Sequence, residues 1–91
     1  MGVAVKARNE IAILIGSNMR LARRLCGEMS QKDLLREQHD YLLDGERAFT
    51  QRDLTRWENG HVRISDSTLR RIGRITGHPL PWFYEEHDEE E

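Results

Sequence analysis

A segment near the middle of the chain carries polar side chains whose types and spacing suit the reading of DNA bases. Residues 50–65 have the sequence TQRDLTRWENGHVRIS. The helical period places four polar residues on one side of a helix: Gln51, Arg52, Thr55 and Arg56. Arginine can donate two hydrogen bonds to guanine, glutamine can pair with adenine, and threonine can touch the thymine methyl group. The pattern therefore predicts base contacts from a helix spanning residues 50–58, with Leu54 and Trp57 facing inward.

Further polar residues stand where they could hold the sugar–phosphate backbone of the same DNA. We expect backbone contacts from the start of the preceding helix and from both ends of the reading helix: Gln31, Lys32, Thr50, Asn59, His61 and Arg63. Asp53 places a negative charge beside this set. We interpret Asp53 as a helix cap, since aspartate three residues after a threonine suits that role; recognition of cytosine is the alternative.

The elements that must position these residues are helices. From Asn9 onward, apolar residues recur at steps of three and four, which predicts an amphipathic first helix ending at Gly27: Ile11, Ile15, Met19, Ala22 and Cys26. Residues 1–8 show no sustained period, so we expect a mobile N-terminal arm before a single domain of residues 9–84.

Repeated start and stop signals define the later helices. SQKDL and TQRDL are both capping-box patterns, with Ser30 and Thr50 as caps. Ser65 or Asp66 starts a fourth helix, and Gly77 ends it. Pro81 then permits a short last turn, in which the rings of Trp82 and Phe83 are expected to cover the core; the alternative for these rings is base stacking.

Taken together, SQKDL, TQRDLTRWENG, RIS and HPLPWF resemble the lambda-repressor-like, or Xre, helix-turn-helix family over about residues 15–83. This family includes phage repressors, Cro proteins and many antitoxins. The resemblance implies an all-α, five-helix domain in which residues 50–58 form the recognition helix. It also implies base readout by Gln51, Arg52 and Arg56, a phosphate contact from Gln31, and a buried ion pair between Arg23 and Glu58.

The chain departs from the family between its second and third helices. The interval from Ser30 to Trp57 is longer than the family norm by about nine residues, and the extra length lies within residues 38–49. Either the second helix is extended by two turns, or the connection forms a loop around residues 44–48. The apolar residues Tyr41, Leu42 and Leu43 favour the extended helix, which would end near the turn dipeptide Asp44-Gly45.

Charge is distributed unevenly along the chain. The net charge is −2, but residues 1–84 carry all 14 basic side chains against 10 acidic ones and are therefore basic by +4. The other six carboxylates lie in residues 85–91, which we expect to form a disordered acidic tail. A basic body suits a nucleic-acid partner despite the negative total.

Other function classes find little support in the sequence. The four histidines lie on different elements without the spacing of a triad or a metal site, so we expect neither an enzyme nor a metal or other cofactor. Cys26 is the single cysteine, which fits a reducing compartment, and we interpret it as a small buried apolar residue. No stretch is apolar enough for a membrane span or a signal peptide, so we expect a cytoplasmic location, in a bacterium or in a phage-infected host cell.

Two functions remain open at this point. The first is a sequence-specific transcriptional regulator that binds a double-stranded DNA operator, alone or as a homodimer, as phage repressors do. The second is an interaction with another protein, as an antitoxin or an anti-repressor, through the inserted segment and the acidic tail. Loss of binding with rising salt would favour the first.

Overall fold

The computed structural model describes the backbone of residues 3–87 and the side chains of residues 10–87. Within this range the chain forms helices and turns and no β-strand, which confirms the all-α class. The helices are α1 (Val3–Leu25), α2 (Gln31–Glu37), α3 (Gln51–Glu58) and α4 (Asp66–Thr76). Two 3-10 turns complete the described part, at Gln38–Tyr41 and Leu80–Tyr84. The fifth helix expected from the family resemblance is thus a single 3-10 turn.

Helix α1 begins earlier than the sequence pattern indicated. The backbone is helical from Val3 onward, within residues 1–8 for which the sequence pattern predicts an N-terminal arm. Residues 3–8 contain no glycine or proline, and Lys6, Ala7 and Arg8 are good helix formers, so nothing stops the helix from extending backward. Residues 1 and 2 lie outside the described range.

Side-chain caps fix where the later helices begin. Ser30 and Thr50 each accept a hydrogen bond from the backbone N–H three residues on, and Asp33 and Asp53 accept one in return, so both predicted capping boxes are confirmed. Ser65 caps α4 by accepting from the backbone N–H of Thr68. Each cap satisfies helix donors that would otherwise lack a partner.

The core lies where the four helices meet. Its buried members come from all four helices, the connecting segments and the C-terminal turn: Ile15, Met19, Ala22, Leu34, Phe49, Leu54, Ile64, Leu69, Ile72 and Phe83. Gly16 allows α1 to approach the end of α3, because a Cβ atom at this position would lie 2.7 Å from the backbone oxygen of Glu58. The cost of a glycine within α1 is therefore offset by close helix packing.

The C-terminal turn closes the core as predicted. Phe83 is fully buried, and the buried amide of Asn18 donates to the backbone oxygens of Phe83 (2.9 Å) and Glu85 (2.7 Å). The ring of His87 stacks on Trp82. The acidic tail expected for residues 85–91 is therefore packed against the body up to His87, and its residues 88–91 lie outside the described range.

Helix α2 is short, which makes the preferred extension to Leu43 wrong. The helix ends at Glu37, a 3-10 turn follows, and Leu42 has extended backbone angles. The extra length therefore lies in the α2–α3 connection. Tyr41 and Leu42 are only half-buried and Leu43 is exposed, so their apolar side chains do not provide the packing that would stabilise two further turns. Asp44 and Gly45 form the predicted turn.

Candidate nucleic-acid interface

Helix α3 has one face in the core and one in solvent. Leu54 is fully buried, Glu58 is buried, and Trp57 packs edge-on against Phe49 with ring centroids 5.5 Å apart. The opposite face carries the four side chains for which base contacts were predicted, and all four are exposed: Gln51, Arg52, Thr55 and Arg56. The structure therefore gathers these residues on a single accessible surface, which we call the α3 face.

The C-terminal end of α3 is fastened to α1 by the expected ion pair between Arg23 and Glu58. The Nε and Nη2 groups of Arg23 each donate to one carboxylate oxygen of Glu58 at 2.8 Å. Arg20 donates to the backbone oxygen of Glu58 at 2.6 Å. Because a forked guanidinium–carboxylate contact restricts both distance and direction, it holds α3 in a defined orientation on α1.

Gln31 connects the start of α2 to α3. Its amide nitrogen donates to Glu58 at 3.0 Å, and its amide oxygen accepts from Gln51 at 3.2 Å and from Thr55 at 3.4 Å. Gln31 was expected to contact the DNA backbone; in the structure it is half-buried and orders two side chains of the α3 face. Lys32, the next residue, is exposed.

The other residues expected to contact the DNA backbone lie at the two ends of α3. Thr50 is exposed, and its hydroxyl accepts the capping hydrogen bond. Asn59 ends the helix, Gly60 follows with a φ of 75°, and the backbone N–H of His61 bonds back to Arg56. The side chains of Asn59 and His61 are exposed, so this turn presents them beside the α3 face.

Arg63 has an intramolecular partner that the sequence did not indicate. Its Nη2 group donates to the hydroxyl of Tyr84 at 2.9 Å, and its guanidinium lies 5.5 Å from the centre of that ring. The Tyr84 hydroxyl in turn donates to Asp66. Because a guanidinium has five N–H donors and Arg63 is exposed, this contact leaves donors for a phosphate.

The carboxylates close to the α3 face are already engaged. Asp53 accepts from the backbone N–H of Thr50 at 3.1 Å, as expected of a cap, and Glu58 is paired with Arg23. At the start of α2, hydrogen bonds from the backbone and side chain of Ser30 lower the pKa of Asp33, which is therefore an anion at neutral pH. Both carboxylates of α3 are therefore engaged by groups other than the arginines of the α3 face.

A second buried network, which was not predicted, holds residues 38–49, the inserted segment. The amide of Gln38, which is 1% exposed, donates to the backbone oxygen of Phe49 (2.8 Å) and accepts from its N–H (2.9 Å). Arg71 on α4 is also buried and lies 3.3 Å from a carboxylate oxygen of Glu46. The one available signal was Arg71 itself, an arginine on the apolar side of α4 next to Ile72.

Two histidines enclose Trp82 at the C-terminal turn. The rings of His78 and His87 stack on it, with centroid distances of 3.9 and 4.1 Å. Burial lowers the pKa of His78, and the nearby His87 lowers it further by disfavouring a second positive charge. Since Trp82 is covered on both sides, base stacking by this ring would require the histidines to move.

Neither a metal site nor a membrane-spanning helix is found in the part of the chain that the structure describes. No group of three or more histidine, cysteine or acidic side chains there is arranged to hold a metal ion. Cys26 is half-buried and unpaired with another cysteine, as a lone cysteine must be. None of the described helices combines the length and apolar character needed to cross a membrane.

Comparisons with known proteins give no relative for this chain. Neither the family models, the curated proteins nor the solved structures contain a match. Function is therefore inferred from the residues of the site.

Proposed function

We propose that this chain is a sequence-specific, double-stranded DNA-binding transcriptional regulator of the repressor type, in which α2 and α3 form a helix-turn-helix and α3 enters the major groove. The observation that carries the proposal is the α3 face: four exposed side chains able to read base edges, on a helix whose opposite side is fixed in the core. An α-helix fits the width of the major groove of B-DNA.

The way α3 is held supports this role. A base-reading helix must keep its side chains within a fraction of an ångström of their partners, which requires support from the residues behind them. Arg23 and Gln31 supply such support through Glu58. Gln31 also holds Gln51 and Thr55, so half of the α3 face is ordered before any ligand binds.

Charge supports the same role. Arg52 and Arg56 lie on the α3 face and Arg63 lies in the loop after it, while the two acidic residues of α3 are occupied by a cap and by an ion pair. Binding of phosphates by such residues releases counterions, so we expect affinity to fall steeply as salt rises. If two copies of the chain bind together, the operator should consist of two half-sites related by two-fold symmetry.

The direct test is selection of bound sequences from a random pool of duplex DNA. A consensus sequence supports the proposal, and two-fold symmetry in it would also indicate a dimer. Recovery of no preferred sequence at low salt would contradict sequence-specific binding.

Loss of a base contact and loss of a phosphate contact should have different effects on DNA binding. Arg52→Ala should lose a bidentate contact to guanine, weaken binding to the selected site by about 1–3 kcal/mol and relax the preference at one base pair. Arg63→Ala should weaken binding to selected and scrambled DNA alike, and lower the slope of log affinity against log salt by about one unit.

Arg74→Ala provides the matched control, because it removes the same charge from an exposed position on α4. Binding of all three variants is measured by fluorescence anisotropy across a salt series. If Arg52→Ala lowers affinity for both DNAs equally and leaves the preferred sequence unchanged, Arg52 does not read a base.

A further inference from the structure

The inserted segment contains a tight turn, and an apolar residue is exposed on it. The backbone N–H of Glu46 donates to the oxygen of Leu43 at 3.0 Å, and the Glu46 carboxylate accepts from the N–H of Leu43 at 2.9 Å. Gly45 has a φ of 85°, which suits glycine in the third position of a turn. The side chain of Leu43 is 57% exposed although its backbone is bonded to Glu46 on both sides. Its apolar area is therefore available for burial against another molecule.

Buried polar and charged side chains hold this turn on the body of the protein, and burying such groups costs stability. Glu46 contacts Arg71, and Gln38 pairs with the backbone of Phe49. The Nε group of Arg71 is buried without a hydrogen-bond partner among the described residues, which costs stability. A connection that only had to span from α2 to α3 would not require such anchoring. The anchoring instead keeps the turn in one shape.

The sequence around Leu43 is acidic. Residues 37–46 contain four carboxylates and neither lysine nor arginine, and the exposed Arg36 and Arg47 flank them on either side. Glu46 is engaged by Arg71, whereas Glu37, Asp40 and Asp44 are exposed. This charge repels phosphates, so the turn does not suit DNA, and it attracts lysine and arginine side chains.

We propose that residues 40–44, the insertion tip, bind a segment of another protein that packs an apolar side chain against Leu43 and places lysine or arginine beside Asp40 and Asp44. The half-buried Tyr41 and Leu42 add apolar contact area beside Leu43. A two-fold contact between copies of this chain would bring Asp40 and Asp44 toward their own equivalents, which disfavours a second copy as the occupant. The interaction does not depend on DNA binding, since the tip and the α3 face use different residues.

Selection from a display library of random linear peptides, with the full chain as bait, tests this proposal. We expect enriched peptides to combine a large apolar or aromatic residue with lysine or arginine. Synthesised as free peptides, they should bind the wild-type chain at least about tenfold more tightly than Leu43→Ser or Asp44→Lys chains, since truncating the central apolar contact or reversing the local charge removes the main attraction.

Val62→Ser is the matched control, because Val62 is another exposed apolar residue, in the loop after α3. Circular dichroism melting of every variant establishes that it is folded. The peptides should bind Val62→Ser and Arg52→Ala chains like the wild type, and their affinity should fall as salt rises.

Three results would overturn the proposal: no enrichment over a selection without bait, peptides that bind the Leu43→Ser chain as tightly as the wild type, or a wild-type dimer in sedimentation that Leu43→Ser abolishes. DNA binding is measured separately on the same variants. Peptide binding without DNA binding would support the insertion tip and contradict only the proposed regulator function.

Discussion

Two buried charged residues act as anchors for different parts of the α2–α3 region. Glu58 anchors α3, and Arg71 on α4 anchors the inserted segment. Glu58 and Arg71 are each 3% exposed. Glu58 accepts three side-chain hydrogen bonds of 2.8–3.0 Å from Arg23 and Gln31. Arg71 reaches Glu46, Gln38 and a backbone oxygen only at 3.3–3.5 Å, and its Nε group has no partner in the described part of the chain.

This difference indicates what each anchor does for the fold. A buried charge is tolerated at little cost when short hydrogen bonds replace its water, and at greater cost when they do not. Glu58 is satisfied and joins three helices, so α3 should be among the most stable parts of the molecule. Arg71 is incompletely satisfied, so the inserted segment should open at a lower free energy than α3.

The largest expected change in stability comes from removing Glu58, the anchor whose hydrogen bonds are all made. Glu58→Ala leaves the guanidinium of Arg23 in the protein without its counter-charge, and should lower the free energy of unfolding by about 3–5 kcal/mol. This is a large share of the total for a domain of this size. Urea unfolding followed by circular dichroism measures it.

Glu10→Ala is the control for that measurement, because Glu10 is an exposed carboxylate on α1. It should change stability by no more than about 0.5 kcal/mol. A loss in Glu58→Ala as small as in the control would mean that the contact with Arg23 does not hold α3.

The sequence predicts the region around α3 better than it predicts the inserted segment. The capping boxes of α2 and α3 and the glycine that ends α4 depend on short patterns, so they could be predicted. The Arg23–Glu58 pair joins residues 35 positions apart and was predicted only through the family resemblance. The α3 face follows from the helical period, which decides which residues point outward once Leu54 points inward. Whether that face binds DNA stays a prediction.

The inserted segment could not be predicted in the same way. Gln38 bonds to Phe49 across 11 residues, and Arg71 lies 25 positions beyond Glu46 in the chain, so no local pattern reports either contact. Tyr41, Leu42 and Leu43 suggested a helix face because apolar spacing alone does not tell whether a core is available to cover it. The packing of residues 85–87 was missed for the same reason, since Asn18 lies far away in the sequence.

A smaller loss of stability is expected at the contact between Glu46 and Arg71, and it should differ between the two residues. Glu46→Ala leaves Arg71 buried without its carboxylate and should cost about 1–3 kcal/mol, the range for a stranded buried polar group. Arg71→Met should cost less, because the half-exposed Glu46 can turn to water and methionine fills similar space. Urea unfolding of both variants gives the comparison.

Amide hydrogen exchange then locates the loss. In Glu46→Ala the N–H of Phe49, which bonds to Gln38, should exchange faster, while the N–H of Leu54 in α3 follows the global stability. Equal acceleration at both amides would show that the insertion and α3 open together, contrary to the difference between their anchors.

The smallest expected effect comes from pH and concerns a region outside both anchors. Because the pKa of His78 is lowered in the folded chain from its ordinary value of 6.5, the unfolded chain takes up this proton first as the solution is acidified. Stability should therefore fall as pH drops below 6.5 and through the lower folded pKa. His78→Gln should flatten this part of the curve of stability against pH.

If the anchors are independent of the C-terminal turn, the flattening should be the same in the wild-type and Glu46→Ala backgrounds, since the effects of distant and unconnected sites on stability add. A flattening that disappears in Glu46→Ala would mean that α4, which contacts the insertion through Arg71 and the C-terminal turn through Gly73, transmits the loss between them.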